Sequence, residues 1–286
     1  MHYPQLCYAS LFEHFLAYFN WSWVGQSPTQ DEALISTPDT LPIAHFNPLR
    51  SSLVTVIGPG EYAFLQNNPL APLNTQLLIL TNSLEKMQQL SSPFTLTTDS
   101  DSLELVSQLS PFLQRHLGPQ ITRHGVFLDI FGQGVLILGP PGAGKSDCAL
   151  ALIERGHRLI ADDAPRFYQA GSGEIKGFCP PAFCGILASR ALGFIDVKQH
   201  YGPLAYLPEK KLSLILVLDP ALPNTQRDYL PLRPKLETEV FFKVPLPRIH
   251  VPLSFSKNIA IILENAVKLA FSSQSPLIER LLSPCD

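Results

Sequence analysis

The feature that most restricts what this chain can become is an eight-residue loop, Gly139-Pro140-Pro141-Gly142-Ala143-Gly144-Lys145-Ser146, between an apolar run and a helical pattern. It meets the phosphate-loop spacing GxxxxGK[ST] at every fixed position. Glycines let successive backbone N–H groups turn toward phosphate oxygens, and the following helix presents its positive end. Lys145 supplies charge for the outer phosphates, and Ser146 supplies a hydroxyl that can ligate magnesium. A glycine-rich turn that merely joins strand to helix is the competing reading. Motif and context are both satisfied, which favours a nucleotide site at Gly139 to Ser146.

The surroundings read as α/β. Val126 to Phe131, then Gly132-Gln133-Gly134, then Val135 to Leu138 has the spacing of a hairpin. A helix is predicted from Lys145 to Arg155, stopped by Gly156, and His157 to Ala161 continues as a strand. Leu212 to Leu218 reads as a buried strand, and Ile259 to Phe271 as a helix with apolar positions Ile259, Ile262, Leu263, Ala266, Val267 and Ala270. Nearer the start, Leu11, Phe12, Phe15, Leu16 and Phe19 recur at helical spacing, and Leu77 to Leu80 reads as a buried strand. Leu103 to Leu117 has helical spacing again, ended by Gly118-Pro119. A length of 286 residues suits two domains. We place a smaller N-terminal α/β domain at 1–122, with no recognisable chemistry, and a C-terminal domain at 123–286.

Composition narrows the function. Apolar residues make up 45% of the chain and charged residues 16%, enough to bury substantial cores. The 27 prolines imply many rigid loops. Net charge is −3, without a basic run that could follow nucleic acid or an anionic membrane. No basic leader and no apolar stretch of about 20 residues is present, so a soluble cytoplasmic protein is expected. The five cysteines, Cys7, Cys148, Cys179, Cys184 and Cys285, are scattered and read as free thiols in a reducing compartment. Cys179 and Cys184 bracket Pro-Pro-Ala-Phe and read as loop residues rather than metal ligands, since no second pair accompanies them.

Leu159-Ile160-Ala161 delivers Asp162-Asp163 to the end of a strand expected to pair beside the loop's own strand. One carboxylate suits magnesium or its waters, and a second suits removal of a hydroxyl proton. A solvated turn is the bland alternative, less favoured beside a phosphate loop. Asp219-Pro220, after the strand Leu212 to Leu218, reads as a turn. His124 is not selected by spacing and by itself reads as a surface residue.

With those residues in place, His124 to Asp163 (HGVFLDIFGQGVLILGPPGAGKSDCALALIERGHRLIADD) resembles the core of the HPr kinase/phosphorylase family over a long ungapped stretch. The similarity continues upstream through Ser91 to Gly125 and more loosely downstream to Phe271. It implies a phosphate-loop kinase domain related to the phosphoenolpyruvate carboxykinase-like nucleotide-binding fold. It further implies ATP and Mg2+ as cofactors, a serine of the phosphocarrier HPr as acceptor, a role in carbohydrate metabolism, reverse phosphorolysis in many members, and a hexamer. By the same resemblance His124, Lys145, Asp162 and Asp163 take catalytic positions, with Asp162 as general base. Ser146 and Asp163 fall at the metal, and Asp147, Arg190 and Lys257 at secondary positions.

Three departures accompany the likeness. Asp147 stands where the family has Glu after the loop. In Ile186 to Gly193, Ala188 replaces the glutamate and Ala191 the first glycine of the family's Glu-x-Arg-Gly-x-Gly signature; that glutamate belongs to the magnesium site. In Pro252 to Asn258, Ser254 and Lys257 stand for two arginines, and lysine keeps charge without the bidentate phosphate contact. The expectation is an active kinase on HPr or an HPr-like protein. A nucleotide-binding regulator without phosphoryl transfer and a small-molecule kinase are the alternatives.

Overall fold

A computed structural model describes residues 5–16, 18–24, 27–29, 32–35, 41–45, 52–68, 75–82, 94–170, 173–190, 192–220, 236–252 and 259–271. Lys257, Ser254, Ala191 and Cys285 lie outside these residues. The chain divides into two compact units, Met1–Ile121 with Tyr168–Ser172, and Thr122–Phe167 with Gly173–Asp286.

The first unit contains β1 (Gln5–Cys7), α1 (Tyr8–Phe15), β2 (Trp21–Trp23), β3 (Ala33–Ile35), β4 (Leu41–His45), β5 (Ser52–Ile57), α2 (Pro59–Asn67), β6 (Leu77–Leu80), β7 (Phe94–Thr98) and α3 (Ser102–Leu117). Its main sheet has the order β2-β7-β6-β5-β4, with β4 to β7 parallel and β2 antiparallel at one edge. Every residue of β5 and β6 is buried, as a parallel sheet covered on both faces requires. Helix α3 starts where Asp101 accepts hydrogen bonds from the N–H groups of Leu103 (2.8 Å) and Glu104 (3.4 Å). It buries Leu105, Leu109, Leu113 and Leu117 as one stripe. Helix α1 is shorter than the apolar spacing suggests: it ends at Phe15, and Leu16 is half exposed.

After β8 (Gln120–Thr122), the second unit runs β9 (Val126–Ile130), β10 (Gln133–Leu138), α4 (Lys145–Glu154), β11 (Arg158–Ala161), β12 (Arg166–Gln169), β13 (Ile175–Phe178), β14 (Ile186–Ser189), β15 (Gly193–Asp196), α5 (Val197–Tyr201), β16 (Glu209–Asp219), β17 (Leu236–Phe241), β18 (Val244–Pro252) and α6 (Ile259–Phe271). The expected hairpin is present as β9 and β10. Its turn residues Phe131 (φ 52°) and Gly132 (φ 79°) are both left-handed, as a two-residue type I′ turn demands.

The sheet path is β11-β9-β10-β16-β13-β12, and β18 with its partner β17 joins the C-terminal half of β16. β10 and β16 are parallel, so both deliver their C-terminal ends to one edge. Helices α4 and α6 contribute Cys148, Ala149, Leu152, Leu263 and Val267 to a core shared with β9, β10 and β16. The buried face of α6 is Ala260, Leu263, Glu264 and Val267, which differs from the apolar positions read from spacing because a carboxylate takes one place in it.

Candidate active site

The loop 139–146 leaves the end of β10 and enters α4 at Lys145. Gly142 (φ 86°) and Gly144 (φ 76°) are left-handed, which side chains with a Cβ rarely adopt. Such turns can offer backbone N–H groups to an anion at the start of α4; here the Ala143 N–H donates to the Pro140 carbonyl at 3.1 Å. Lys145 folds back over the loop, its Nζ donating to the carbonyls of Gly139 (3.1 Å) and Pro140 (3.2 Å). These are neutral acceptors, so an incoming phosphate competes for the ammonium on favourable terms.

The aspartate pair reaches this edge by a route different from the expected one. β11 pairs with β9, not with the loop's own strand, because β10 already has β9 on one side and β16 on the other. Two antiparallel steps leave β11 running the same way as β10, so Asp162 still emerges beside the loop. Ser146 Oγ donates to the Asp162 carboxylate, at 3.1 Å from Oδ1 and 3.2 Å from Oδ2. The backbone N–H of Ala188 donates to Oδ2 at 2.8 Å. Asp162 is only 7% exposed, and this burial holds its carboxyl above the usual aspartate range, against the hydrogen bonds from Ala188 and Ser146 that favour the charged form.

Asp163 is a different kind of group. Its backbone is left-handed (φ 67°) and its side chain is largely solvent-exposed. His124 Nδ1 lies 2.9 Å from its Oδ1. A histidine that spacing did not select therefore stands at the mouth of the cleft, tied to the second aspartate.

These groups line one cleft of about 330 Å³, with Asp147, Ala188 and Arg190. The Arg190 guanidinium packs over the loop: a Cβ at Gly142 would meet it at 3.3 Å. Ser189 Oγ donates to Asp147 Oδ1 at a long 3.4 Å. Asp219 ends β16 outside the cleft lining and pairs with His250 Nδ1 at 3.2 Å. Sequence reasoning noticed Ala188 only for the carboxylate it lacks and missed its backbone donor; every residue except proline carries an N–H, so no residue pattern reveals it.

Magnesium prefers oxygen ligands, and Ser146 with the neighbouring aspartates is a donor set of that chemistry. Among the described residues no cluster of three or more His, Cys, Asp or Glu is spaced to hold a metal ion by itself. Ala188 lines the cleft and adds no side-chain ligand to it. A metal held here would take its remaining ligands from phosphate oxygens and water.

An α/β sheet with a phosphate-loop motif at the C-terminal edge of a parallel pair defines the class as the phosphate-loop α/β proteins. Residues 115–277 match the model of the HPr serine kinase C-terminal domain. The chain is 29% identical over 284 residues to the HPr kinase/phosphorylase of Nitrosomonas europaea, covering 92% of this chain and 88% of that one. To the HPr kinase/phosphorylase of Burkholderia cenocepacia it is 31% identical over 242 residues, covering 79% and 74%. The solved HPr(Ser) kinase/phosphatase of Coxiella burnetii is 31% identical, covering 52% of this chain and 95% of that one, with a TM-score of 0.47. This chain belongs to the HPr serine kinase family. Among the described residues no helix is long and apolar enough to cross a membrane.

Proposed function

We propose that this protein uses ATP to phosphorylate a serine of HPr or an HPr-like phosphocarrier, and so regulates carbohydrate metabolism from the cytoplasm, as a hexamer. The observation that carries the reading is the buried Asp162 beside the phosphate loop, held by neutral donors and kept above its usual range. A carboxylate so tuned is a better proton acceptor than an exposed aspartate. In the forward direction Asp162 takes the proton of the serine hydroxyl as the oxygen attacks the γ-phosphorus, and the bond to the ADP leaving group breaks. Lys145 leaves the loop carbonyls to neutralise the transferring phosphoryl, and the N–H groups of Gly142 to Ser146 cradle the adjacent phosphates. Ser146 and Asp163 would supply oxygen ligands to a bound magnesium ion, and His124 holds Asp163. Arg190, which packs over the loop, supports the phosphates, Asp147 is held by Ser189 in the first turn of α4, and Lys257, outside the described residues, is a further cation by the family likeness. When bound, magnesium supplies charge stabilisation between the outer phosphates.

Ala188 favours a second reading. With no carboxylate at that position, the metal is held weakly, and phosphorolysis suffers most because it lacks the chelating triphosphate. The chain then works as a kinase with a high magnesium requirement and little reverse reaction. In the limit it is a nucleotide-binding regulator with no transfer. Incubation with labelled ATP and HPr from the same cell, titrated with magnesium, tests both readings. We expect phosphoserine in HPr, and Ala188→Glu should lower the magnesium needed for half-maximal turnover several-fold. ATP binding without transfer in both proteins would replace the kinase by the regulator.

A further inference from the structure

We infer that Cys179 and Cys184 are a modification site: a dithiol that a hydroperoxide converts to a disulfide, displacing the strand that holds Asp162. Cys179 follows the last residue of β13 and is 1% exposed, whereas Cys184 is partly accessible. Between them Pro181–Phe183 form a 3₁₀ turn, closed by the Phe183 N–H on the Pro180 carbonyl at 3.0 Å. The turn folds the second thiol back onto the first residue. Cys184 Sγ lies 3.7 Å from the Cys179 carbonyl and 3.5 Å from that of Pro180, donating to both. The residues between the two cysteines form this turn and belong to no strand, so closing the bond asks for a side-chain rotation and a shift of the turn rather than the breaking of a sheet.

Accessibility assigns the order of events. Cys184, the thiol solvent can reach, attacks the distal peroxide oxygen as its thiolate. The O–O bond breaks, Cys184 becomes a sulfenic acid, and the leaving oxygen takes a proton to depart as water or alcohol. Cys179 then attacks that sulfur, the S–O bond breaks, and the two thiol protons and the peroxide oxygens leave in all as two waters when the oxidant is hydrogen peroxide. Burial and the neighbouring Cys184 push the Cys179 thiol up to about 12, which suits it to resolve and not to react first, and makes the reaction a response to sustained oxidant.

The consequence reaches the cleft through a short path. Gly185 (φ 83°) follows Cys184, its carbonyl anchored by the Val197 N–H at 2.8 Å, and β14 begins at the next residue. Ala188 of β14 donates the N–H that Asp162 accepts. Drawing Cys184 toward Cys179 moves the root of β14, and with it this donor. The effect on turnover rests on the kinase reading; the cross-link does not.

The test treats the full chain with hydrogen peroxide, blocks free thiols, and digests it with trypsin. Both cysteines fall in the peptide from Gly177 to Arg190, which should come out lighter by two hydrogens and recover on reduction. Phosphoryl transfer should fall on the order of 10- to 100-fold in the oxidised protein, the scale of a misplaced site group, and return with dithiothreitol. Cys184→Ser should keep basal activity and lose the sensitivity, and Cys179→Ser should leave a sulfenic acid on Cys184 that a dione reagent traps. A peptide of unchanged mass, or one with two separately blocked or over-oxidised cysteines, overturns the site. A cross-linked protein with undiminished turnover overturns its coupling to Asp162. If the reduced protein transfers nothing, the kinase reading fails while the peptide mass still decides the disulfide.

Discussion

Two buried carboxylates stand at opposite ends of helix α4, and their surroundings push them in opposite directions. At the C-terminal end, Glu264 of α6 receives both Arg155 donors, Nε to Oε1 at 2.6 Å and the terminal nitrogen to Oε2 at 2.7 Å, with His157 Nε2 at 3.0 Å. The Arg155 hydrogen bonds, against burial and helped by His157, hold the glutamate down at about 2. At the N-terminal end, Asp162 accepts from a backbone N–H and a hydroxyl, and among the described residues from no cation. Burial therefore wins there, and its carboxyl is raised. A charged partner makes a carboxylate a fastener, and neutral partners leave it a reactive group.

The largest effect expected at the Asp162 end is that of Lys145→Ala. It should abolish turnover with little change in thermal melting, since among the described residues Lys145 bonds to loop carbonyls alone. Unchanged activity in this variant would remove the phosphate-loop assignment. Asp162→Asn comes next, with turnover about 100- to 10,000-fold lower and ATP affinity nearly constant, the scale of a general base. Because folding raises this group's pKa, its ionised form costs stability above the folded pKa, so the amide should melt higher than wild type at neutral pH. A collapse of ATP binding with a normal residual rate would make Asp162 a metal ligand.

Glu264→Gln sharpens the contrast from the other side. It should lower folding stability, by less than breaking a fully buried pair would because the exposed Arg155 is resolvated, while turnover per folded molecule stays within a few-fold. Folding depresses this pKa, so the contribution is complete above the usual glutamate value of 4.5 and fades as pH falls from there toward about 2. Denaturant midpoints of the two proteins should therefore converge in acid. A constant gap down to pH 3 would show that packing, not the ion pair, sets the difference.

The Asp162 end was far more legible in the sequence than the Glu264 end. Each fixed position of the loop has its own chemical task, so Gly139 to Ser146 could be read without a fold, and the strand and helix around it follow from local spacing. The Glu264 fastener joins residues 107 and 109 positions apart, and spacing alone marks position 264 as neither buried nor paired. Neighbour choice in the sheet failed for a similar reason. The local hairpin β9–β10 occupies one side of the loop's strand, and a distant segment, β16, occupies the other. Direction of travel could still be argued, which is why Asp162 was placed at the correct edge beside the wrong neighbour. The hydrogen bond from Ala188 depends on where a remote hairpin docks.

The pH dependence of phosphate transfer to HPr, measured at saturating ATP and magnesium with wild type and Asp162→Asn side by side, tests most directly whether the neutrally partnered carboxylate is the working one. The wild-type rate should lose activity on an acid limb that lies above the usual aspartate value of 3.8, and the variant should keep a low rate without that limb. The same limb in both proteins, or a wild-type rate that is flat down to the usual aspartate value, would contradict the assignment.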